Sequence, residues 1–174
     1  MNPDFRKNHF ELFGLPPRFA VDAGALDRAY REIQSQVHPD KFVHAADTEQ
    51  RLSMQKSTQV NEAYRTLKVP LSRARYLLGL HGVDIQSETN TAMPAQFLVQ
   101  QIEWREAVEE AAGQSDTLDA LALRLQNEMK QLYAELERSL DAAGHAEAAA
   151  TLRKLMFLER LREEIGDAQE KLDA

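Results

Sequence analysis

Apolar residues recur at steps of three and four over almost the whole chain, and no stretch alternates convincingly between apolar and polar residues. Steps of three and four bring side chains onto one face of an α-helix, whereas alternation is typical of a strand with one buried face. The longest such stripe consists of Leu118, Leu121, Leu125, Met129, Leu132, Leu136 and Leu140. The pattern therefore predicts an all-α protein.

The composition narrows the classes of function. Hydrophobic residues make up 43% of the 174 residues, which is enough for a real core, and the formal net charge is -7. An acidic protein is poorly suited to general nucleic-acid binding, because neutralising phosphates requires clustered Lys and Arg. The absence of cysteine excludes disulfides, thiol catalysis and metal sites built on thiolates. We expect neither a resident cofactor nor a metal site.

Nothing in the sequence predicts a membrane protein or a secreted one. The first residues contain no basic stretch followed by an apolar run, as a secretory signal would. No segment approaches the roughly 20 apolar residues that cross a bilayer. The expected location is the cytoplasm, with no membrane partner.

The helical pattern is interrupted at residues 81–93, where His81-Gly82 and a polar run follow each other. This predicts a domain at residues 1–80, a linker at 81–93 and a second domain at 94–174. Three helical stretches in the second domain are typical of a three-helix bundle. We expect the two domains to form an elongated or bent arrangement.

Two amphipathic helices are predicted in the N-terminal half. The first covers residues 23–37, and Asp22 is placed to accept hydrogen bonds from its free first amides. The second begins near Asp47 and continues towards Pro70. The spacing of Asp47 and Gln50 is typical of a capping box at its start.

Prolines and glycines predict the other helix boundaries. Pro39 ends the first helix, because the residue before a proline is disfavoured in the α conformation. Pro70 is expected to stop the second helix, and a short helix follows over residues 72–80. Pro94 is predicted as the first residue of the next helix, and Gly144 as the break before the last one.

The tripeptide His38-Pro39-Asp40 joins the two amphipathic helices. Pro39 has a fixed φ, and the carboxylate of Asp40 is able to bond nearby backbone amides and hold a turn. On its own the tripeptide is a helix-breaking connector. Metal binding by His38 and His44 lacks a third ligand, and hydrolysis by His38 and Asp40 lacks a nucleophile and a pocket.

The segments around the tripeptide resemble the J domain. Residues 10–15 read FELFGL, and the second helix ends in NEAYRTL at residues 61–67. The resemblance implies two antiparallel helices that present the turn to a DnaK-type chaperone and accelerate its ATP hydrolysis. The chaperone-binding residues it implies are His38, Pro39, Asp40, Lys41, Arg28 and Arg31.

Two further stretches resemble the HscB family of J-type co-chaperones, which serve iron–sulfur cluster assembly. They are PLSRARYLL at residues 70–78 and LRKLMFL at 152–158. The resemblance implies a co-chaperone rather than an enzyme, with an HscA-like ATPase and an IscU-like cluster scaffold as partners. The helix before the turn has Gln34, Ser35 and Gln36 where most J domains have Lys and Arg, which suits a dedicated ATPase.

The helix that begins near Pro94 has two apolar stripes. Phe97, Trp104 and Val108 fall on one side, and a second set lies nearly opposite. Either both stripes are buried in the bundle, or the second is a small exposed docking patch with an acidic rim. The resemblance implies that the scaffold binds Leu98, Val99, Ile102, Glu103, Glu106 and Phe157.

Three other functions compete with this interpretation. A J protein for general unfolded clients would need a larger, promiscuous apolar surface, and no Gly/Phe-rich or Met-rich stretch supplies one. A plain helical adaptor would not depend on Asp40. An enzyme acting through His38 and Asp40 would turn over a substrate without any partner.

Overall fold

The computed structural model describes residues 5–85 and 94–173. Over these two ranges the chain forms seven α-helices, one short 3-10 helix and no strand, which confirms the all-α prediction. The chain divides into two compact units, residues 1–80 and 81–174, called the N-terminal and C-terminal units below. Of the predicted linker, residues 86–93 lie outside the described residues. Among the described helices, none is both long and apolar enough to cross a bilayer.

The N-terminal unit is built around two long helices that pack on each other. Its elements are α1 (His9–Leu12), α2 (Ala23–Val37), the 3-10 helix (Pro39–Phe42), α3 (Asp47–Lys68) and α4 (Pro70–Leu80). Its buried core includes Phe10, Leu12, Leu26, Ile33, Val60, Leu67 and Leu78. The predicted range of α2 is confirmed, and Asp22 caps it by accepting a 2.9 Å hydrogen bond from the amide of Ala25.

The short helix α1 is capped at both ends by residues next to it in the sequence. Asn8 and Glu11 form a reciprocal capping box at its start. Gly14 has φ +66°, and its amide donates to the carbonyl of Glu11, while the amide of Leu15 donates to that of Phe10. These two bonds satisfy carbonyls that a helix end leaves free. The Phe-Gly-Leu sequence after α1 is therefore a helix stop.

The predicted start of α3 near Asp47 and its end before Pro70 are confirmed, but the predicted capping box and the predicted start of α4 at residue 72 are wrong. Asp47 is the first residue of α3, and the N-cap is Ala46, which has no side-chain capping bond. The capping box is not formed, because Asp47 lies one residue inside the helix. Pro70 does not merely stop α3 but is the first residue of α4. A proline fits there because the first amides of a helix have no intrahelical partner.

The C-terminal unit contains the three predicted helices. They are α5 (Ala95–Ala111), α6 (Ser115–Asp141) and α7 (His145–Asp173), and each packs against the other two. Their buried stripe includes Phe97, Trp104, Leu118, Leu125, Leu136, Leu152, Leu158 and Ile165. Pro94 is the N-cap of α5 rather than its first helical residue. Its carbonyl accepts from the amide of Phe97 at 2.8 Å.

The end of α6 differs from the prediction by one residue. The left-handed residue after the helix is Ala143, with φ +56°, and not Gly144. The amide of Gly144 donates to the carbonyl of Ser139 at 2.8 Å, and that of Ala143 to Leu140 at 3.1 Å. This is a Schellman closure, in which glycine is the usual residue at the left-handed position. An alanine there is strained, because its Cβ crowds the carbonyl that follows.

Replacing Ala143 with Gly is therefore expected to stabilise the protein. Relief of the left-handed strain contributes about 1 kcal/mol, offset in part by the greater freedom of glycine in the unfolded chain. Chemical denaturation with the midpoint compared at constant slope measures the change. Ala142→Gly is the control, since φ there is -83° and glycine should destabilise. If the denaturation midpoint falls in Ala143→Gly as it does in Ala142→Gly, the backbone of Ala143 is not strained.

His9 is a half-buried histidine packed against α4. Its ring stacks on that of Tyr76, with centroids 4.2 Å apart, and its backbone amide donates to the Tyr76 hydroxyl at 3.0 Å. Burial lowers the pKa of His9 from the ordinary value of 6.5, and the charge of Glu62 offsets only part of that effect. The neutral imidazole is therefore the form that fits the folded protein.

Stability should consequently fall as the pH falls below about 6.5. In that window the unfolded chain binds a proton at His9 that the folded chain resists, so protonation favours unfolding. His9→Gln is expected to flatten the change in the free energy of unfolding between pH 7.5 and 5.5, measured by urea denaturation. His44→Gln, at an exposed position, is the control and should leave the slope unchanged. If the free energy of unfolding changes with pH equally in the wild type and the His9 variant, His9 is not the cause of the change.

Candidate functional site

The His-Pro-Asp tripeptide forms a tight, exposed turn at the end of α2. The amide of His38 still donates to the carbonyl of Gln34, but its backbone is extended, with φ -60° and ψ 130°. Pro39 then begins the 3-10 helix, and the amide of Lys41 donates to the carbonyl of His38 at 3.1 Å. The chain therefore changes direction over three residues.

The side chain that holds the turn is that of His38. The sequence had predicted that the carboxylate of Asp40 would do so by bonding nearby amides. The imidazole Nδ1 of His38 accepts from the amide of Asp40 at 3.3 Å. The carboxylate of Asp40 lies 3.5 Å from the same nitrogen, and 88% of the Asp40 side chain is exposed. The negative charge at the tip of the turn is thus left accessible to a partner.

The three cations predicted beside the turn are all exposed. Arg28 and Arg31 lie one turn apart on α2, and Lys41 lies in the 3-10 helix. Arg31 also donates from Nε to the carbonyl of Asp27 at 3.2 Å. Lys41 is thus the cation next to the turn, whereas Arg28 lies ten residues before His38 and has its guanidinium beside Gly24, near the start of α2.

One residue assigned to that surface by sequence faces the neighbouring helix instead. The amide nitrogen of Gln34 donates to the carbonyl of Ser57 and to the side chain of Asn61, both on α3. Ser35 and Gln36 are exposed as expected. The scarcity of positive charge on α2 is therefore partly explained by a structural role of Gln34.

Further polar contacts between α2 and α3 were not found by sequence reasoning. The hydroxyl of Tyr30 donates to Asn61 at 2.8 Å, and that of Tyr64 to Asp27 at 2.9 Å. Lys68 pairs with Asp27 at 2.6 Å, and its hydrogen bond, together with that of Tyr64, lowers the pKa of the Asp27 carboxyl. The three-residue spacings Asp27/Tyr30 and Asn61/Tyr64 were the available signal. These contacts join α2 to α3 at residues that precede the turn.

The second apolar stripe of α5 is exposed, which decides between the two interpretations left open by sequence. Leu98, Val99 and Ile102 are 48%, 53% and 57% exposed, although each is a large apolar residue. Glu103 and Glu106 are exposed beside them. These five residues are called the α5 patch. Phe97 and Trp104, at 5% and 3% exposure, anchor the opposite face of α5 in the bundle.

Phe157 lies in the core and does not add exposed surface to the α5 patch. It is 5% exposed, and its ring meets that of Phe97 edge-on with centroids 5.9 Å apart. The guanidinium of Arg105 lies 5.9 Å from its centroid. The resemblance implies that Phe157 binds the scaffold, but in this structure its side chain packs under α5 against Phe97.

No three potential metal ligands come together anywhere in residues 5–85 and 94–173. His38 and His44 therefore have no third partner there. The candidate residues thus lie on two exposed surfaces, one on each unit.

Comparison with known proteins agrees with this architecture. Residues 93–166 match the family model described as the HSCB C-terminal oligomerisation domain. The chain is 52% identical over 173 residues to a protein of Azoarcus sp. (strain BH72) named a co-chaperone protein HscB homolog, and the match covers 98% of each. It is similar to the solved chaperone HscB from Vibrio cholerae, with 34% identity, TM-score 0.86, and coverage of 95% of this chain and 99% of that one. It is also similar to the human co-chaperone protein HscB, with 31% identity and TM-score 0.90. That match covers 99% of this chain and 86% of the human one. The chain therefore belongs to the HscB family of co-chaperones.

Proposed function

We propose that this protein brings an iron–sulfur cluster scaffold to a specialised chaperone ATPase and switches that ATPase on. The N-terminal unit would engage an HscA-like, DnaK-type chaperone, and the C-terminal unit an IscU-like scaffold. The observation that best supports this division is that each compact unit exposes one candidate surface, the charged His-Pro-Asp turn on one and the largely apolar α5 patch on the other. The protein would act in the cytoplasm. It would act by binding its two partners and would catalyse no reaction itself.

At the turn, the exposed carboxylate of Asp40 would accept charge-assisted hydrogen bonds from a basic residue of the chaperone. Each such bond contributes roughly 1.5–3 kcal/mol. His38 holds the amide of Asp40, and Pro39 limits the backbone, so little freedom is lost on docking. Arg28, Arg31 and Lys41 would meet acidic groups nearby. Binding would favour the chaperone state in which ATP is hydrolysed and the client is gripped.

At the α5 patch, the half-exposed side chains of Leu98, Val99 and Ile102 would be covered by the scaffold. Burying the exposed half of each contributes about 1 kcal/mol. After the cost of association is subtracted, this gives a specific but reversible complex. Residues 81–174 contain 9 Lys and Arg against 19 Asp and Glu, so a scaffold surface with positive charge would fit best.

The alternative is that this protein is a J protein for general unfolded clients. The small size of the α5 patch argues against that function. Promiscuous binders use large, adaptable surfaces that are often rich in methionine. Here the apolar part of the patch consists of only three side chains on one helix, and the patch contains no methionine. Such a surface favours one folded partner over many unfolded segments.

The test is an ATPase assay of the HscA-like chaperone with this protein, with the IscU-like scaffold, and with both. We expect stimulation by this protein alone and a greater rate when both are present, because two bindings that favour one state reinforce each other. Replacing the scaffold with a reduced, unfolded model protein is the control. Equal enhancement by that unfolded protein would support the general-client function instead, and no stimulation at all would contradict the proposal.

A further inference from the structure

Two side chains of α3 hold the main chain on both sides of the His-Pro-Asp turn. Before the turn, the hydroxyl of Ser53 donates to the carbonyl of Val37 at 2.7 Å. After the turn, the amide nitrogen of Gln50 donates to the carbonyls of Val43 and Ala45 at 3.2 and 3.0 Å. Gln50 and Ser53 are three residues apart and so lie on the same face of α3. We call this pair the α3 clamp.

The bond from Ser53 closes the end of α2. Val37 is the last residue of α2, and its carbonyl is one of the four that a helix end leaves without an intrahelical partner. Ser53 is 3% exposed, so water has little access to its hydroxyl. A serine within a helix often bonds the carbonyl of its own preceding turn. Here the hydroxyl crosses to α2 instead and satisfies the last carbonyl before the turn.

The bonds from Gln50 hold the segment that leaves the turn. The 3-10 helix ends at Phe42, and the residues between it and α3 form a short connection. One amide group bonds two carbonyls of that connection, so it limits how far the chain can move away from α3. The sequence pattern that resembled a capping box has this different purpose.

We propose that Gln50 and Ser53 are positioning residues, which hold the His-Pro-Asp turn in its docking conformation before the chaperone arrives. The inference rests on the proposed function of the N-terminal unit. A turn held at both ends loses less freedom on docking, so the clamp strengthens binding. It does not touch the partner, so it leaves the rate of the fully bound chaperone unchanged.

The experiment measures chaperone ATPase rate against concentration for Ser53→Ala, Gln50→Ala and the double variant. We expect the half-maximal concentration of the double variant to rise on the order of tenfold, with an unchanged rate at saturation. Ser57→Ala is the matched control, because Ser57 is a buried serine one turn later whose hydroxyl bonds the side chain of Gln34 and not the main chain that flanks the turn. Its half-maximal concentration should equal that of the wild type. Gln50 is only half-buried, so Gln50→Ala tests the clamp even if Ser53→Ala unfolds the unit.

A second measurement needs no partner. In the isolated full chain, amide hydrogen exchange at Asp40 and Lys41 should be faster in the clamp variants than in wild type. Exchange at Ala25, at the other end of α2, should be unchanged. Clamp variants with wild-type exchange and half-maximal concentration would overturn the clamp while leaving the proposed function intact. A lower rate at saturation would also overturn it, whereas a wild type that fails to stimulate contradicts the proposed function itself.

Discussion

Asp40→Asn is expected to reduce the stimulated ATPase rate of the chaperone to its basal rate at concentrations that saturate the wild type. The variant keeps the size of the side chain but removes the charge that the turn presents to solvent. Losing one charge-assisted bond lowers affinity by about tenfold or more, and a carboxylate is able to make several such bonds. The measurement is steady-state ATP hydrolysis with purified chaperone. Because the Asp40 side chain is 88% exposed, the melting temperature should hardly change.

Asp47→Asn is the matched control, since it removes the same charge from an exposed aspartate in the first turn of α3. It should retain stimulation. Scaffold binding by Asp40→Asn should equal that of the wild type, because the turn and the α5 patch lie on different units. An equal loss of both activities would contradict the division of labour between the units.

The double variant Leu98→Ala, Ile102→Ala is expected to weaken scaffold binding by roughly thirtyfold to a hundredfold, from about 1 kcal/mol or slightly more per side chain. Isothermal calorimetry or biolayer interferometry measures it. Stability should fall only slightly, because about half of each side chain already faces solvent. Stimulation without scaffold should be unchanged. Phe157 is left out of the variant, since replacing a buried Phe with Ala costs about 3–5 kcal/mol of folding free energy.

Leu123→Ala is the control for this variant. Leu123 is 59% exposed on α6 of the same unit, outside the α5 patch. It should leave scaffold affinity unchanged. If Leu123→Ala weakens binding as much as the double variant does, the surface that binds the scaffold is not the α5 patch. Unfolding of the double variant would show that Leu98 and Ile102 are needed for the bundle.

Local patterns predicted most of the helices correctly, because each depends on residues close in sequence. Asp22 caps α2 through an amide only three residues away. The wrong predictions also came from considering only residues close in sequence. Asp47 and Gln50 have the spacing of a capping box, but the Gln50 amide bonds loop carbonyls that the fold brings to it. Periodicity placed two stripes on α5 without deciding which was covered, since that depends on how many helices pack around it.

The sequence by itself determined the all-α class, the location of the His-Pro-Asp turn and the resemblance to a co-chaperone family. These follow from spacing along the chain and from residue types that restrict the backbone. Only the tertiary structure decided that His38 rather than Asp40 holds the turn, that Leu98, Val99 and Ile102 are open while Phe157 is buried, and that Ser53 bonds the end of α2. Burial and hydrogen bonding between distant residues arise when helices pack, and no local pattern contains that information.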